Sequence, residues 1–195
     1  MTSPTDMHAF CEAWLRQTGA RDTQAFQTWL DELVPLRIAR GEMLVSAGSV
    51  DTRIFLIRSG LVRLFYLSVD GKERNKAFYT EGALVGAMSS VIRDGQAPFS
   101  IEALEDTEVY SGDYATFFAR AGSNPDRSRV ILKLLSDAFV RNEQREAVLL
   151  TGTAEQRYQW LVAQEPWLLD RVPQFHLATY LGMEAVTLSR LKGSA

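Results

Sequence analysis

Apolar positions along this chain change period in blocks, and each block predicts a different kind of element. Across residues 7–33, Phe10, Trp14, Phe26, Trp29, Leu30 and Leu33 recur at mostly helical spacing, broken near Gly19. That predicts two helical pieces lying over the next unit. Pro35 is expected to end them. Over residues 36–112 the period falls to two. Residues 53–58 and 61–67 are rich in β-branched and aromatic side chains and are separated by Ser59-Gly60, which predicts two strands. Asp70-Gly71 predicts a hairpin, with residues 74–79 as the returning strand. Two more strands are expected over residues 99–109, around Glu105-Asp106. Glycines at 41, 48, 60, 71, 82 and 86 punctuate these short runs, the pattern of an antiparallel sandwich or roll.

Helical signals return after Gly112. Asp113 can cap a short helix through Arg120, and Asn124 or Pro125 opens a long one. Leu132, Leu135, Phe139, Asn142, Glu146 and Leu149 fall at alternating spacings of three and four. Such a stripe with a polar middle suits a two-fold dimer seam, the other reading being that it packs on its own β unit. Thr153 with Gln156 reads as a capping box for a helix to Gln164, stopped by Pro166.

The last block reads as two short helices joined at Gly182, with Ala178 four residues earlier, where a small side chain allows close packing. Leu177 and Leu181, then Leu188 and Leu191, give each helix an apolar face. This is helix-turn-helix spacing, which places a second helix in the DNA major groove. A helical hairpin that only completes the core is the alternative. In sum the expected fold is α+β: N-terminal helices, an antiparallel β-roll, a long helix and a terminal helix-turn-helix, with no complete wing evident after Lys192. The expected units are residues 1–122 for sensing, 123–150 for dimerisation and 151–195 for DNA binding.

Composition changes this picture only at the margins. The chain has 195 residues, is 46% hydrophobic and carries a formal charge of −3, which argues mildly against a surface that clings everywhere to nucleic acid. Arg171, Arg190 and Lys192 nevertheless bring positive charge to the last block, against Asp170 and Glu184. No apolar run is long enough to span a bilayer, and MTSPTDMHAF lacks a signal pattern, so a cytoplasmic location and no membrane partner are expected. Cys11 is the single cysteine, and His8 and His176 are the two histidines. That excludes an internal disulfide and a cysteine-ligated cluster, and leaves no histidine metal site. No nucleotide-binding glycine loop or paired carboxylates mark an enzyme; Glu102, Glu105 and Glu108 read as an exposed strand edge and turn.

The order of elements, with Gly41-Glu42, Ala47-Gly48, the run Ile54-Phe55-Leu56-Ile57-Arg58-Ser59-Gly60-Leu61-Val62-Arg63, Asp70-Gly71-Lys72-Glu73 and Glu81-Gly82-Ala83-Leu84-Val85-Gly86, resembles the catabolite-activator (Crp/Fnr) family of bacterial regulators. The resemblance implies an effector-sensing β-roll like a cyclic-nucleotide-binding domain, a homodimer through the long helix, and DNA as the target. It also implies a small-molecule effector and RNA polymerase as partners.

The sequence departs from that family where ligands are held. Nucleotide-binding members place a glutamate after the cassette glycine and an arginine-serine pair about ten residues on. Here Gly86 is followed by Ala87, and Ala97-Pro98 stand at the later positions. Each lost charge-assisted contact costs roughly 1.5–3 kcal/mol, so two or three losses remove most of a micromolar affinity. Cyclic AMP is therefore not expected to bind, and no cofactor is expected. The effector pocket is assigned to Gly86, Ala87, Met88, Ser89, Ser90 and Arg93; Ser89 and Ser90 could cradle an anion, while Arg93 is read as a solvated loop residue that could substitute for the missing arginine. On the recognition helix, Ala185 and Val186 replace the family's first arginine and glutamate, whereas Arg190 is kept. Arg190 is expected to read a guanine edge, Thr187 and Ser189 to touch phosphate or bases, Ala185 a thymine methyl, Gln174 a phosphate, and Lys192 to add charge. These substitutions leave open a module that kept the fold and lost tight, sequence-specific DNA binding.

Overall fold

The computed structural model describes residues 4–92, 95–119 and 121–193. Among the described residues, eight antiparallel strands form two facing four-stranded sheets, ordered β1-β8-β3-β6 and β2-β7-β4-β5. The strands are β1 (Val34–Ile38), β2 (Met43–Val45), β3 (Arg53–Ser59), β4 (Val62–Leu67), β5 (Glu73–Tyr79), β6 (Leu84–Gly86), β7 (Ser100–Ala103) and β8 (Thr107–Asp113). Phe55, Ile57, Val62, Ile101 and Val109 fill the space between the sheets. Ile54, Leu56 and Tyr110 point the other way, into a second cluster with Trp14, Trp29 and Phe117. The unbroken apolar run of β3 thus has a simple cause: both faces of its sheet are covered.

The cover comes from α1 (Pro4–Thr18), a short 3-10 turn, α2 (Gln27–Asp31), α4 (Tyr114–Phe118) and the start of α5 (Pro125–Thr151). Gly19 ends the first helix with φ +115°, as the broken periodicity anticipates. Local caps set the later helices. Asp113 accepts from Thr116 N at 2.9 Å, and Asn124 accepts from the amides of Asp126 and Arg127, both at 3.0 Å. Burial lifts the Cys11 thiol to about 12, so it is inert at neutral pH. No helix among the described residues is long and apolar enough to cross a membrane.

Three sequence expectations need correction. Pro35 is not what ends the helices: α2 stops at Asp31, and Pro35 already lies within β1, an edge strand where proline is tolerated. Glu102, Glu105 and Glu108 are not a free edge: they pair with Arg63, Arg171 and Arg58 respectively. An additional helix, α7 (Leu168–Arg171), follows Pro166. Arg120, expected at the end of α4, lies outside the described residues.

Candidate nucleic-acid interface and effector cavity

The chain ends in α6 (Ala154–Gln164), α7, α8 (Gln174–Tyr180) and α9 (Ala185–Gly193). The Thr153–Gln156 capping box is formed in both directions and starts α6. Leu161, Leu177, Ala178, Leu181 and Leu188 pack into one apolar cluster with Leu61 and Phe78 of the β-roll. Between α8 and α9, Gly182 takes φ +63°, and Met183 N donates back to Ala178 O at 3.0 Å. That is how a helix ends on a left-handed residue. Arg157 of α6 pins the turn by donating to the carbonyls of Leu181 and Gly182, each at 3.2 Å. Nothing in the local sequence pattern marks Arg157 for this role.

Of the residues assigned to DNA contact, Ala185, Ser189, Arg190 and Lys192 are exposed along α9, and Thr187 is half-buried. Gln174 is half-buried, and its amide donates to Ala185 O, a long bond at 3.4 Å that ties α8 to α9. Val186 and Phe175 expose apolar surface beside them, 62% and 58% respectively. Arg171, counted among the positive charges of this block, is engaged within the chain. Its guanidinium donates to Glu81 and Glu105 at 2.9 and 2.7 Å, and these contacts hold the Glu81 carboxyl down at about 2 despite burial.

The inward face of α8 sits on β5 of the β-roll. Asn75, 2% exposed, donates to His176 O at 3.0 Å and to Thr179 Oγ1 at 2.6 Å. Arg63, 4% exposed, donates to Glu102 at 2.6 Å and lies 3.3 Å from His176 Nδ1. Guanidinium only donates, so Nδ1 is an acceptor and the imidazole proton sits on Nε2. Burial, then the Arg63 charge, lowers the His176 pKa to about 4, so the ring is neutral at pH 7. A second anchor runs from α5. Arg141 donates to Glu165 at 2.9 Å, and the Tyr180 hydroxyl donates to the same carboxylate at 2.6 Å. Arg145 donates to Asn75 O and Tyr180 O at 3.0 and 2.7 Å.

A cavity of about 540 Å³ lies between the β-roll and α5. Gly86, Met88 and Ser89 of the assigned effector pocket line it. Met88–Ile92 forms a short helix, α3. A side chain at position 86 would meet Arg53 O at 2.9 Å, so only glycine lets β6 run this close to β3. Ala87 points away, into the apolar filling between the sheets, as does Ala97. Ser90 is buried and structural: its hydroxyl donates to Gly95 O and accepts from Asp51 N. Arg93 lies outside the described residues. Lys76 and Arg141 also line the cavity and were not singled out by sequence. Along α5, Leu132, Leu135, Phe139, Asn142 and Glu146 are exposed and Leu149 is half-buried. The stripe therefore covers little of its own β-roll.

Residues 35–124 match the family model described as a cyclic nucleotide-binding domain. The fumarate and nitrate reduction regulatory protein of Vibrio cholerae is 28% identical, the alignment covering 84% of this chain and 70% of that protein. Over most of its length the chain is thus similar to regulators of the Crp/Fnr kind. The anaerobic regulatory protein of Haemophilus influenzae is 27% identical over 84% of this chain and 68% of its own length. Among solved structures, FixK2 from Bradyrhizobium japonicum superposes with a TM-score of 0.72 at 18% identity, covering 83% of each chain. The catabolite activator protein of Thermus thermophilus gives 0.56 at 22% identity, over 90% of this chain and 84% of that one. The Crp/Fnr fold of β-roll, long helix and terminal helices is thus shared.

Proposed function

We propose that the protein is a homodimeric, DNA-binding transcription regulator of the Crp/Fnr type whose β-roll does not bind cyclic AMP. The observation that carries the reading is α9. It stands exposed with Ser189, Arg190 and Lys192 outward, on a helix-turn-helix whose turn is fixed by Gly182 and Arg157. The relatives' names, which describe regulatory proteins, support it. In this reading residues 1–122 sense, 123–150 dimerise and 151–195 bind DNA. Leu132 and Phe139, 66% and 67% exposed, form the centre of the seam. Two-fold symmetry then sets the recognition helices about 34 Å apart, one major groove to the next. Alanines at 87 and 97 offer a cyclic phosphate neither charge nor donor, which supports loss of cyclic AMP affinity.

The test is selection from random DNA followed by a salt titration. A palindromic site should emerge, and Arg190→Ala should cost about 1–3 kcal/mol at one base position. Weak, sequence-blind binding would instead favour an interaction module that kept the fold. One observation leans that way: α8 and Arg171 are both engaged with the β-roll, which leaves α9 to supply nearly all the DNA contact.

A further inference from the structure

The cavity between the β-roll and α5 carries chemistry that DNA binding leaves unused. Its walls include Leu64, Leu84, Val85, Phe99 and Phe118. Into them comes Lys76, placed by a β-bulge. Leu64 pairs with Ala77 while the next residue, Phe65, pairs with Asn75, so Lys76 is the extra residue. Bulges of this kind re-aim side chains, often beside functional sites. The displaced ammonium lies 5.6 Å from the centroid of the Phe99 ring and has no carboxylate partner among the described residues. The other charges at the cavity are committed: Arg141 to Glu165 at 2.9 Å, and Asp137 to Lys133 at 2.8 Å. Burial, followed by the charges of Arg141 and Arg145, pushes the Lys76 pKa below the usual lysine value. The Ser89 hydroxyl is buried at the same cavity with no hydrogen-bond partner among the described residues. Such an orphaned donor calls for an explanation, an absent ligand being one.

We propose that this cavity binds an amphipathic organic acid, an apolar body bearing one carboxylate, with Lys76 as the anion's partner and the Ser89 hydroxyl as a second contact. Apolar walls with few convergent polar groups are the common form of small-ligand sites, and the volume fits that class. A cyclic phosphate would find no side-chain donor at Ala87 or Ala97, which face the apolar filling rather than the cavity. The inference deepens the regulator reading by naming its effector, and rests on that reading only for its consequence. Leu135, Phe139 and Asn142 line the cavity and also belong to the dimer stripe, so an occupant would touch the element that joins two copies.

Calorimetric titration of the full chain tests it with decanoate and 2-naphthoate. The comparators are decanol, 2-naphthylmethanol and cyclic AMP. At least one carboxylate should bind with a Kd below about 100 μM, its alcohol about tenfold or more weaker. Lys76→Met should lose about tenfold, Lys76→Arg should keep most of the affinity, and Ser89→Ala should lose a smaller factor. No binding by either carboxylate up to about 1 mM overturns the proposal. So does equal binding of the alcohol, tighter binding of cyclic AMP, or undiminished affinity in a folded Lys76→Met. The acid–alcohol comparison uses unaltered protein, so it decides even if a variant fails to fold. DNA selection run in parallel separates the two readings. Carboxylate binding without DNA selectivity sinks the regulator and keeps the site, and the reverse result sinks only the site.

Discussion

Replacing Asn75 by leucine should loosen α8 from the β-roll while leaving the strands intact. Leucine nearly matches asparagine in shape, so the change removes polar contacts rather than volume. The amide nitrogen has three acceptors in reach, His176 O, Thr179 Oγ1 and His176 Nδ1, at 3.0, 2.6 and 3.2 Å. It has two hydrogens, so two bonds form at once. The amide oxygen accepts a longer bond, 3.3 Å, from Arg63. At about 1 kcal/mol per bond the loss is about 3 kcal/mol, and the added apolar burial returns about 1 kcal/mol. The acceptors left behind keep partners: Thr179 still donates to His176 O, and Arg63 still reaches Nδ1. A net loss of about 2 kcal/mol follows, which speeds amide exchange through local opening about thirtyfold. Hydrogen-exchange mass spectrometry should show this in the peptide spanning Gln174–Tyr180, with the start of α5 as an unaffected control. Exchange in α8 within about threefold of the parent, with an unchanged melting midpoint, would refute the reasoning.

Other expectations follow from the same contacts. His176 titrates at about 4 in the folded chain against an ordinary 6.5, so the unfolded chain binds more protons between those values. Its contribution is complete above about pH 6.5 and fades as pH falls toward 4, with about 2 kcal/mol gone by pH 5. Denaturant midpoints from pH 7 to 5 should drop less steeply in His176→Asn, and identical slopes would rule this out. Glu165→Gln strips a buried carboxylate from Arg141 and Tyr180. About 2–3 kcal/mol should be lost, lowering the midpoint by about 4–10 °C in calorimetry; a shift under about 1 °C would show the pair to be dispensable. The double change Leu132→Asp and Phe139→Asp puts charges on the exposed stripe of α5. Sedimentation should show a dimer weakened by about a hundredfold or more, and a parent that is already monomeric would remove the seam.

Much of the fold was legible because its signals are local. The caps at Asp113, Asn124 and Thr153–Gln156, the left-handed Gly182 and the continuous apolar runs of β3 and β4 each involve residues within a few positions of one another. Backbone sterics and short-range hydrogen bonds fix such features before any long-range contact forms. The exposed face of α9, with Arg190 on it, was legible for the same reason. What the tertiary structure alone decided are the pairings across large sequence separations. Arg63 and Asn75 meet His176 from 113 and 101 positions away, and Arg171 is taken up by Glu81 and Glu105 rather than left for DNA. The bulge that turns Lys76 into the cavity depends on the register of β5 against β4. One residue of slip flips a side chain to the other face, and periodicity does not show where the slip falls. The sequence by itself determined the class of elements and the exposed surface of α9. Packing decided which charges are free to act, because a side chain's partner is set by the path of the whole chain.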